Sequence, residues 1–362
     1  MRYFVPIANC IPIKGFRRSL IYDLQRHTLL PVPNDLYDIL TIKWGSCIDA
    51  ILERFPESSS QINEYFQYLL DNEFVFITEH EEEILCFPPL EKEWEYPGRI
   101  MNAVIELTDS NVNSMIELMP ELQILGCRFM EVRSYCESSS SLETFFGSLR
   151  ESAFRIIDLF VIGDTISTVD LEALLRNEKR IPSIFVETAE NNRKSEFKEI
   201  QFVRKIQWHE NASPSINDFV VNVEFFMESQ FHNPYWNKRI WLTKEGLIKD
   251  GIEGTSYGPI TIENLRKYSN EERIIENVPK DEIAVCSSCE FRYACYDSRI
   301  PVPAAHEYKW NHKSECNYNP FICKWKGEEG YKTLEECGIA ITTVEYNLES
   351  ARLAEINEEI WG

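Results

Sequence analysis

The sequence predicts an α/β protein with a cysteine-rich C-terminal part, on three observations. Between residues 98 and 230, apolar β-rich runs alternate with helical stretches, which is the order of a parallel sheet built from βα units. Residues 1–92 combine short strands with short helices. Residues 231–362 have few long apolar runs but carry closely spaced cysteines. We therefore predict three domains, at 1–92, 98–230 and 231–362.

The N-terminal segment predicts strands, then helices, then one more strand. Residues 19–33 hold two apolar runs around a polar turn, which indicates a hairpin. Apolar residues at helical spacing follow in "DLYDIL", "IDAILERF" and "INEYFQYLL", and "FVFIT" at 74–78 is typical of a strand. This order suits a winged-helix-like unit, whose strand edge can accept an extended peptide. We predict a peptide-recognition unit at 1–92, with an ordinary N-terminal subdomain as the alternative.

The central segment contains the βα units. The runs "MNAVIELT", "CRFMEVRSY", "RIIDLFVIG" and "IPSIFVET" predict strands, and "IQFVRKIQW" adds another. Stretches such as "NSMIELMPELQIL", "SLETFFGSLRES" and "DLEALLRN" predict the helices between them. Roughly five or six units are visible, which is too few for a closed eight-stranded barrel. The segment is therefore a partial (β/α) barrel or an open parallel sheet.

The C-terminal segment has the spacing of a metal site. "CSSCEFRYAC" places Cys286, Cys289 and Cys295 at C-x2-C-x5-C, and Cys316 follows after twenty residues. Four thiolates suit either tetrahedral zinc or a cubane iron–sulfur cluster, because both bind soft anionic sulfur. Structural zinc commonly uses two C-x2-C pairs, whereas this chain has one. The spacing thus favours an iron–sulfur cluster on these four cysteines and leaves zinc as the alternative.

Three other residues compete for the same metal. Cys323 lies seven positions after Cys316 and could replace it as the fourth ligand. His306 and His312 could serve zinc, although we expect each to be a solvated loop histidine. The third alternative, beside an iron–sulfur cluster and zinc, is that the cysteines bind no metal.

Composition limits the partners. The net charge is -22, with 59 acidic and 37 basic residues, which argues against binding to nucleic acid or to anionic lipid. No apolar run reaches the ~20 residues of a membrane span. The N-terminal stretch contains prolines and lacks a cleavage site, so we expect a strand there and a cytoplasmic protein. Eleven cysteines, an odd number, then favour reduced thiols over disulfides.

The cysteine motif also carries a resemblance. "CSSCEFRYAC" with Cys316 is similar to the second-cluster half of the SPASM domain, which binds auxiliary [4Fe-4S] clusters in radical SAM peptide-modifying enzymes, and "NKRIWLTKEGLIKDGIEGTSYGPI" resembles that domain's opening hairpin. "NCIPIKGFRRSLIYDLQRHTLLPVPNDLYDIL", "CEFRYACYDSRIP" and "CNYNPFICKW" resemble the SPASM-domain peptide maturase of grasp-with-spasm systems. Such a maturase accompanies an ATP-grasp ligase and a short precursor peptide. The resemblance covers both ends of the chain, and the middle matches only in its βα order.

The chain departs from that family at two places. A radical SAM barrel carries C-x3-C-x2-C in its first loop, where this chain reads "IELTDSNVNSM" without a cysteine. A two-cluster SPASM domain has a further cysteine where this chain has Arg299. The resemblance therefore implies a degenerate radical SAM-like domain at 98–230 and a SPASM-like domain at 231–362. It implies one [4Fe-4S] cluster, or zinc instead, and no S-adenosylmethionine.

Catalytic residues are not identified by any motif. P-loop and G-x-G-x-x-G strings are absent. Asp109, Glu131 and Asp164 lie at predicted strand ends, where barrel active sites gather, but acids that cap helices are common at such positions.

Three functions fit these features. The first is a ribosomal peptide maturation protein that binds a precursor peptide and works with an ATP-grasp ligase, without radical SAM chemistry of its own. The second is an enzyme that uses a single iron–sulfur cluster as an electron relay or Lewis acid. The third is an acidic adaptor stabilised by zinc. Whether the protein is an enzyme is left open by the residues themselves.

Overall fold

The chain forms two compact units. A computed structural model describes residues 1–189, 193–206, 208 and 212–362. The first unit contains residues 1–94, 211–234 and 277–362, and the second unit contains residues 95–210 and 235–276. The three predicted domains, at 1–92, 98–230 and 231–362, stay a prediction.

The N-terminal part of the first unit has strands followed by helices and one more strand. The strands are β1 (Tyr3–Pro6), β2 (Cys10–Lys14), β3 (Ser19–Asp23), β4 (Thr28–Val32) and β5 (Val75–Thr78), and the helices are α1 (Asn34–Leu40), α2 (Ile48–Arg54) and α3 (Ser59–Asp71). β2, β3 and β4 form an antiparallel sheet with β4 at one edge, and β1 pairs with β5. The hairpin predicted at 19–33 is confirmed as β3 and β4.

The middle of the chain alternates strands and helices as predicted. It contains β6 (Asn102–Leu107), α4 (Val112–Ile124), β7 (Phe129–Ser134), α5 (Ser139–Ser148), β8 (Ile156–Ile162), α6 (Thr168–Asn177), β9 (Ile184–Glu187) and β10 (Ile200–Val203). Helix α7 (Val223–Ser229) of the first unit follows, and then β11 (Arg239–Leu242), β12 (Leu247–Lys249), β13 (Ser256–Pro259) and α8 (Ile262–Asn270) of the second unit. Gln207, within the predicted run "IQFVRKIQW", lies outside the described residues.

The second unit is built on one eight-stranded sheet, in the order β10-β9-β8-β7-β6-β11-β12-β13. The strands from β10 to β11 are parallel, and β12 and β13 are antiparallel to their neighbours. The mixed α/β class is therefore confirmed. Among the described residues β10 and β13 each pair on one side, so the sheet is open.

The core of the second unit lies on one face of that sheet. Strand side chains that alternate along the chain, such as Ile105, Val132 and Leu159, pack with Met115 and Phe145 of the helices. All five are fully buried, since each side chain is on the apolar face of its element. The same cluster includes residues of β11, which pairs in parallel with β6. The sequence predicts this strand only as part of a C-terminal hairpin.

The C-terminal part of the first unit has little regular structure. It contains β14 (Pro301–Pro303), β15 (Trp310–His312), β16 (Tyr318–Asn319), β17 (Lys324–Trp325), β18 (Ile339–Ile341), β19 (Tyr346–Leu348) and α9 (Ser350–Trp361), and its strands pair only as short hairpins. Such a segment needs stabilisation beyond its own apolar core. In the described parts of the chain, every helix is too short or too polar to cross a bilayer.

Candidate metal centre

Tight turns bring the clustered cysteines together. Cys286–Ser288 form a 3-10 turn, and the N–H of Cys289 donates to the carbonyl of Cys286 at 2.9 Å. The N–H of Cys295 donates to the carbonyl of Phe291 at 3.1 Å. Val285, just before the first turn, has a φ of 68°, which is an unfavourable region for a β-branched residue. These turns bring nearer to one another thiols that are three and six positions apart in the chain.

The four predicted ligands are neighbours. Cys289 lies close enough to Cys286, Cys295 and Cys316 for their charges to act on its pKa, and Cys316 and Cys286 act in the same way on Cys295. Cys286 and Cys295 are buried, and Cys289 and Cys316 are half-buried. All eleven cysteines are free thiols in the structure. Among the described residues, however, no three of these four Sγ atoms lie within 4.8 Å of one another, and the role of the four thiols as ligands stays a prediction.

Burial holds most of these thiols in the neutral form. Burial raises the pKa of Cys295 to about 12 and raises the pKa of Cys289 well above its ordinary value, and neighbouring negative charges raise that of Cys289 further. Burial also raises the pKa of Cys286, but His312 and Arg299 outweigh it, so this pKa is lowered. A metal that binds here must release protons from the thiols, and its affinity is therefore linked to pH.

A buried group of charged side chains adjoins the thiols. Lys280, Asp297 and Arg299 are each no more than 3% exposed. The Oδ2 atom of Asp297 lies 2.8 Å from Nη2 of Arg299, 3.3 Å from Nζ of Lys280 and 3.2 Å from Nε2 of His312. Nη2 of Arg299 also lies 3.9 Å from Sγ of Cys286. We call Lys280, Asp297, Arg299 and His312 the buried charge cluster.

This cluster contains more positive than negative charge. Burial raises the pKa of Asp297, but Arg299, Lys280 and His312 outweigh that effect and hold the pKa well below its ordinary value. One carboxylate therefore faces the permanent charges of Lys280 and Arg299. Buried charges are normally paired, because leaving water is costly for an ion. Ionised thiols beside the cluster would supply the missing negative charge, so the surroundings fit a thiolate-bound metal.

The two candidate histidines, His306 and His312, differ in their burial and in their contacts. The side chain of His312 is only 4% exposed, so the expectation of a solvated loop histidine is wrong for this residue. Sγ of Cys286, a carboxylate oxygen of Asp297 and a ring nitrogen of His312 all lie within 4.8 Å of one another. His306 is half-buried, and its Nε2 lies 3.1 Å from Oδ1 of Asn311. Packing of β15 against the cysteine segment explains the burial of His312, since Trp310 of that strand bridges to Ile283.

A cavity of about 500 Å³ borders this region. Its lining includes Cys286, Cys316, Arg299 and His312. Cys289 and Cys295 are not part of the lining. A metal held by the four thiols would therefore be approached by small molecules from the side of Cys286 and Cys316.

Cys323 has different surroundings from Cys316. Its buried thiol lies 3.7 Å from the carbonyl of Pro320 and belongs to an apolar cluster that includes Phe291, against which Cys316 also packs. Burial and the charge of Glu290 raise its pKa to about 12. The charges that act on Cys316 are those of Arg299 and Asp297, in the buried charge cluster. These surroundings support Cys316 as the fourth ligand, and the choice between the two stays a prediction.

Sequence reasoning missed Lys280 and Asp297. Lys280 stands in "NVPKDEI" and Asp297 in "YDSRI", both polar stretches that read as exposed loops. Their burial depends on contacts between segments distant in the chain, which local composition does not report. Proximity to the cysteines in sequence is the single signal that could have drawn attention to them.

The three acids predicted at strand ends have structural partners, although Glu131 lies within β7 and not at its end. Asp109 accepts the N–H of Glu137 at 2.8 Å and the hydroxyl of Ser141 at 2.5 Å, near the start of α5. Asp164 pairs with Arg193 at 3.2 Å. Glu131 pairs with Arg133 and Arg239. Asp109 thus bonds to residues on either side of Ser138, the N-cap of α5, and ion pairing describes the other two.

Comparison with known proteins finds one similar solved structure. No protein-family model matches the chain, and no curated protein matches its sequence. The structure is similar to that of Streptococcus suis SuiB bound to S-adenosylmethionine, at 10% identity and a TM-score of 0.31, over 82% of this chain and 95% of that chain. A similarity of this size carries no argument about activity. That structure holds S-adenosylmethionine, so the prediction that no S-adenosylmethionine is expected is contradicted and is withdrawn.

Proposed function

We propose that Cys286, Cys289, Cys295 and Cys316 bind one metal centre in a protein that takes part in ribosomal peptide maturation. The gathering of the four thiols beside an excess of buried positive charge carries this proposal. Thiolate ligands suit an iron–sulfur cluster or zinc, which differ in bound inorganic sulfide and in redox activity. The protein's own part is to hold the centre and to keep its surroundings largely dry.

Metal and sulfide analysis of the full-length protein, purified without oxygen, tests this proposal. We expect one centre per chain, with stoichiometric iron and sulfide for a cluster or one zinc and no sulfide for a zinc site. The visible absorption of a cluster provides an independent reading. Protein that retains neither iron nor zinc after anaerobic purification would contradict the proposal.

The peptide-maturation part rests on the resemblance at both ends of the chain and on a groove in the first unit. The groove has a volume of about 590 Å³ and runs beside the edge strand β4. Its lining includes Leu29, Pro31, Phe219, Phe291, Trp325 and Trp361. Phe219 and Phe291 stack with ring centroids 4.6 Å apart. An edge strand beside an aromatic surface suits an extended peptide, because the strand offers main-chain hydrogen bonds and the rings offer side-chain contacts.

This groove also touches the cysteine segment. Phe291 lies between Cys289 and Cys295 in the chain, and the neighbouring wall residue Phe219 bridges to Cys295. A precursor peptide in the groove would therefore contact the segment that holds the thiols. We propose that the precursor binds here and that an ATP-grasp ligase acts on the bound peptide.

Replacing Trp361 by alanine should weaken precursor binding by roughly 2 kcal/mol, about thirtyfold in Kd, as expected for an aromatic anchor of a peptide. Trp361 lines the groove and is partly exposed, so the fold tolerates its loss. Fluorescence anisotropy of a labelled precursor peptide, encoded beside this gene, measures the effect on the full-length protein. Trp44→Ala, outside the groove lining, is the matched control. Equal Kd values for the two variants would place recognition elsewhere.

A further inference from the structure

Lys280 is a buried cation with an incomplete set of partners. It is 1% exposed, and among the described residues its Nζ has no hydrogen-bond acceptor. In the part of the chain that the structure describes, it forms one ion pair, with Asp297 at 3.3 Å. An ammonium group carries three N–H donors, which water would satisfy at the surface. The burial of Lys280 therefore lowers the stability of the metal-free protein.

Asp297 by itself cannot neutralise the positive charge of Lys280. Its Oδ1 accepts from Nε of Arg299 at 3.0 Å and from the N–H of Arg299 at 3.1 Å, and its Oδ2 accepts from Nη2 of the same residue at 2.8 Å. This bidentate pairing matches the planar guanidinium to the carboxylate. The negative charge of Asp297 is thus already shared with Arg299 when Lys280 approaches it.

A thiol of the predicted site adjoins the pair of Lys280 and Asp297, since a carboxylate oxygen of Asp297 lies within 4.8 Å of Sγ of Cys286. Burial lowers the pKa of Lys280, but Asp297 and then Cys295 and Cys286 outweigh it, so the pKa is raised. Both thiols are predicted ligands of the metal centre. Four thiolates around zinc, or around a [4Fe-4S] core in its 2+ state, leave a net charge of about -2. Only the metal-loaded protein keeps this charge on the sulfur atoms permanently.

We propose that Lys280 is the charge partner of the bound metal centre and not a stabilising residue of the metal-free fold. This inference rests on the proposed four-thiolate centre. Lys280 then has opposite effects in the two forms of the protein. In the metal-free form it is a poorly compensated buried cation, and in the metal-loaded form it neutralises part of the charge on the thiolates.

Lys280→Met tests the proposal, because methionine is apolar and of similar length. We expect the melting temperature of the metal-free variant to rise by a few degrees above that of the metal-free wild type. We expect the metal-loaded variant to lose its metal to a chelator at least about tenfold faster, because losing a group that supports the metal ligands commonly weakens metal binding by that much. Circular dichroism of the chelated protein and the rate of metal transfer to EDTA, both without oxygen, are the measurements.

Two further variants make the result specific. Lys280→Arg retains the charge and should restore slow metal release. Lys309→Met removes an exposed lysine that pairs with Glu282, and it should change neither measurement. A Lys280→Met variant with a lower metal-free melting temperature and an unchanged release rate would identify an ordinary structural lysine and overturn the inference. In that case wild-type protein would still bind metal, so the proposed centre would stand. Wild-type protein without any metal would overturn both.

Discussion

Alanine in place of Cys286, Cys289, Cys295 or Cys316 removes the metal centre and destabilises the segment around it. The metal supplies much of the stability of such a segment, since structural metal binding can contribute about 10–16 kcal/mol in small domains. The C-terminal part of the first unit contains only short hairpins and one helix, so it has little else to hold it. Metal content per chain and limited proteolysis of the full-length variants measure the two effects.

Cys127→Ala is the matched control for these four variants. Cys127 is also buried, but it lies in the core of the second unit, so its loss should leave the metal content unchanged. Cys323→Ala examines the competing fourth ligand. If all four single variants kept a full complement of metal, the assignment would be wrong. Loss of metal in Cys323→Ala together with retention in Cys316→Ala would exchange these two residues in the ligand set.

Asp297→Asn should lower the free energy of unfolding of the metal-loaded protein by about 3–5 kcal/mol, because it leaves buried cations without their carboxylate. Arg299 and Lys280 both lie within 3.3 Å of this side chain. Asparagine has nearly the same shape, so the change reports on charge and hydrogen bonding with little change in packing. Urea denaturation followed by circular dichroism gives the difference.

Asp281→Asn provides the comparison for that effect. Asp281 also forms an ion pair, with Arg292 at 2.9 Å, but it is partly exposed to solvent. Exposed pairs contribute about 0–1 kcal/mol, so this variant should unfold near the wild-type midpoint. If the two variants lost similar amounts of unfolding free energy, the buried position of Asp297 would not increase its contribution to stability.

The sequence predicts the elements of this fold better than the way they assemble. Strands β6 to β9 follow from runs whose alternate residues, such as Leu159 and Val161, are apolar and buried. The pairing of β11 with β6 was not foreseen, because it joins residues more than 130 positions apart, as Trp241 with Val104. Pairing at such a separation depends on the tertiary fold, and no local pattern encodes it.

The candidate site, like the fold, can be predicted from the sequence only in part. Its thiols follow from spacing, since Cys286, Cys289 and Cys295 lie within ten residues. Lys280 and Asp297 do not, because charged residues in polar loops are normally solvated and their burial here depends on neighbouring segments. Local chemistry therefore identifies the candidate ligands, whereas the tertiary structure identifies the charges around them.

The cavity beside Cys286 and Cys316 has a practical consequence for handling this protein. At about 500 Å³ it admits dioxygen and small chelators, and it reaches only these two of the four sulfur atoms. Damage in air should therefore begin at Cys286 and Cys316, with Cys289 and Cys295 oxidised later. Mass spectrometry of briefly aerated samples would record that order, and bulky oxidants that do not fit the cavity should act far more slowly than dioxygen.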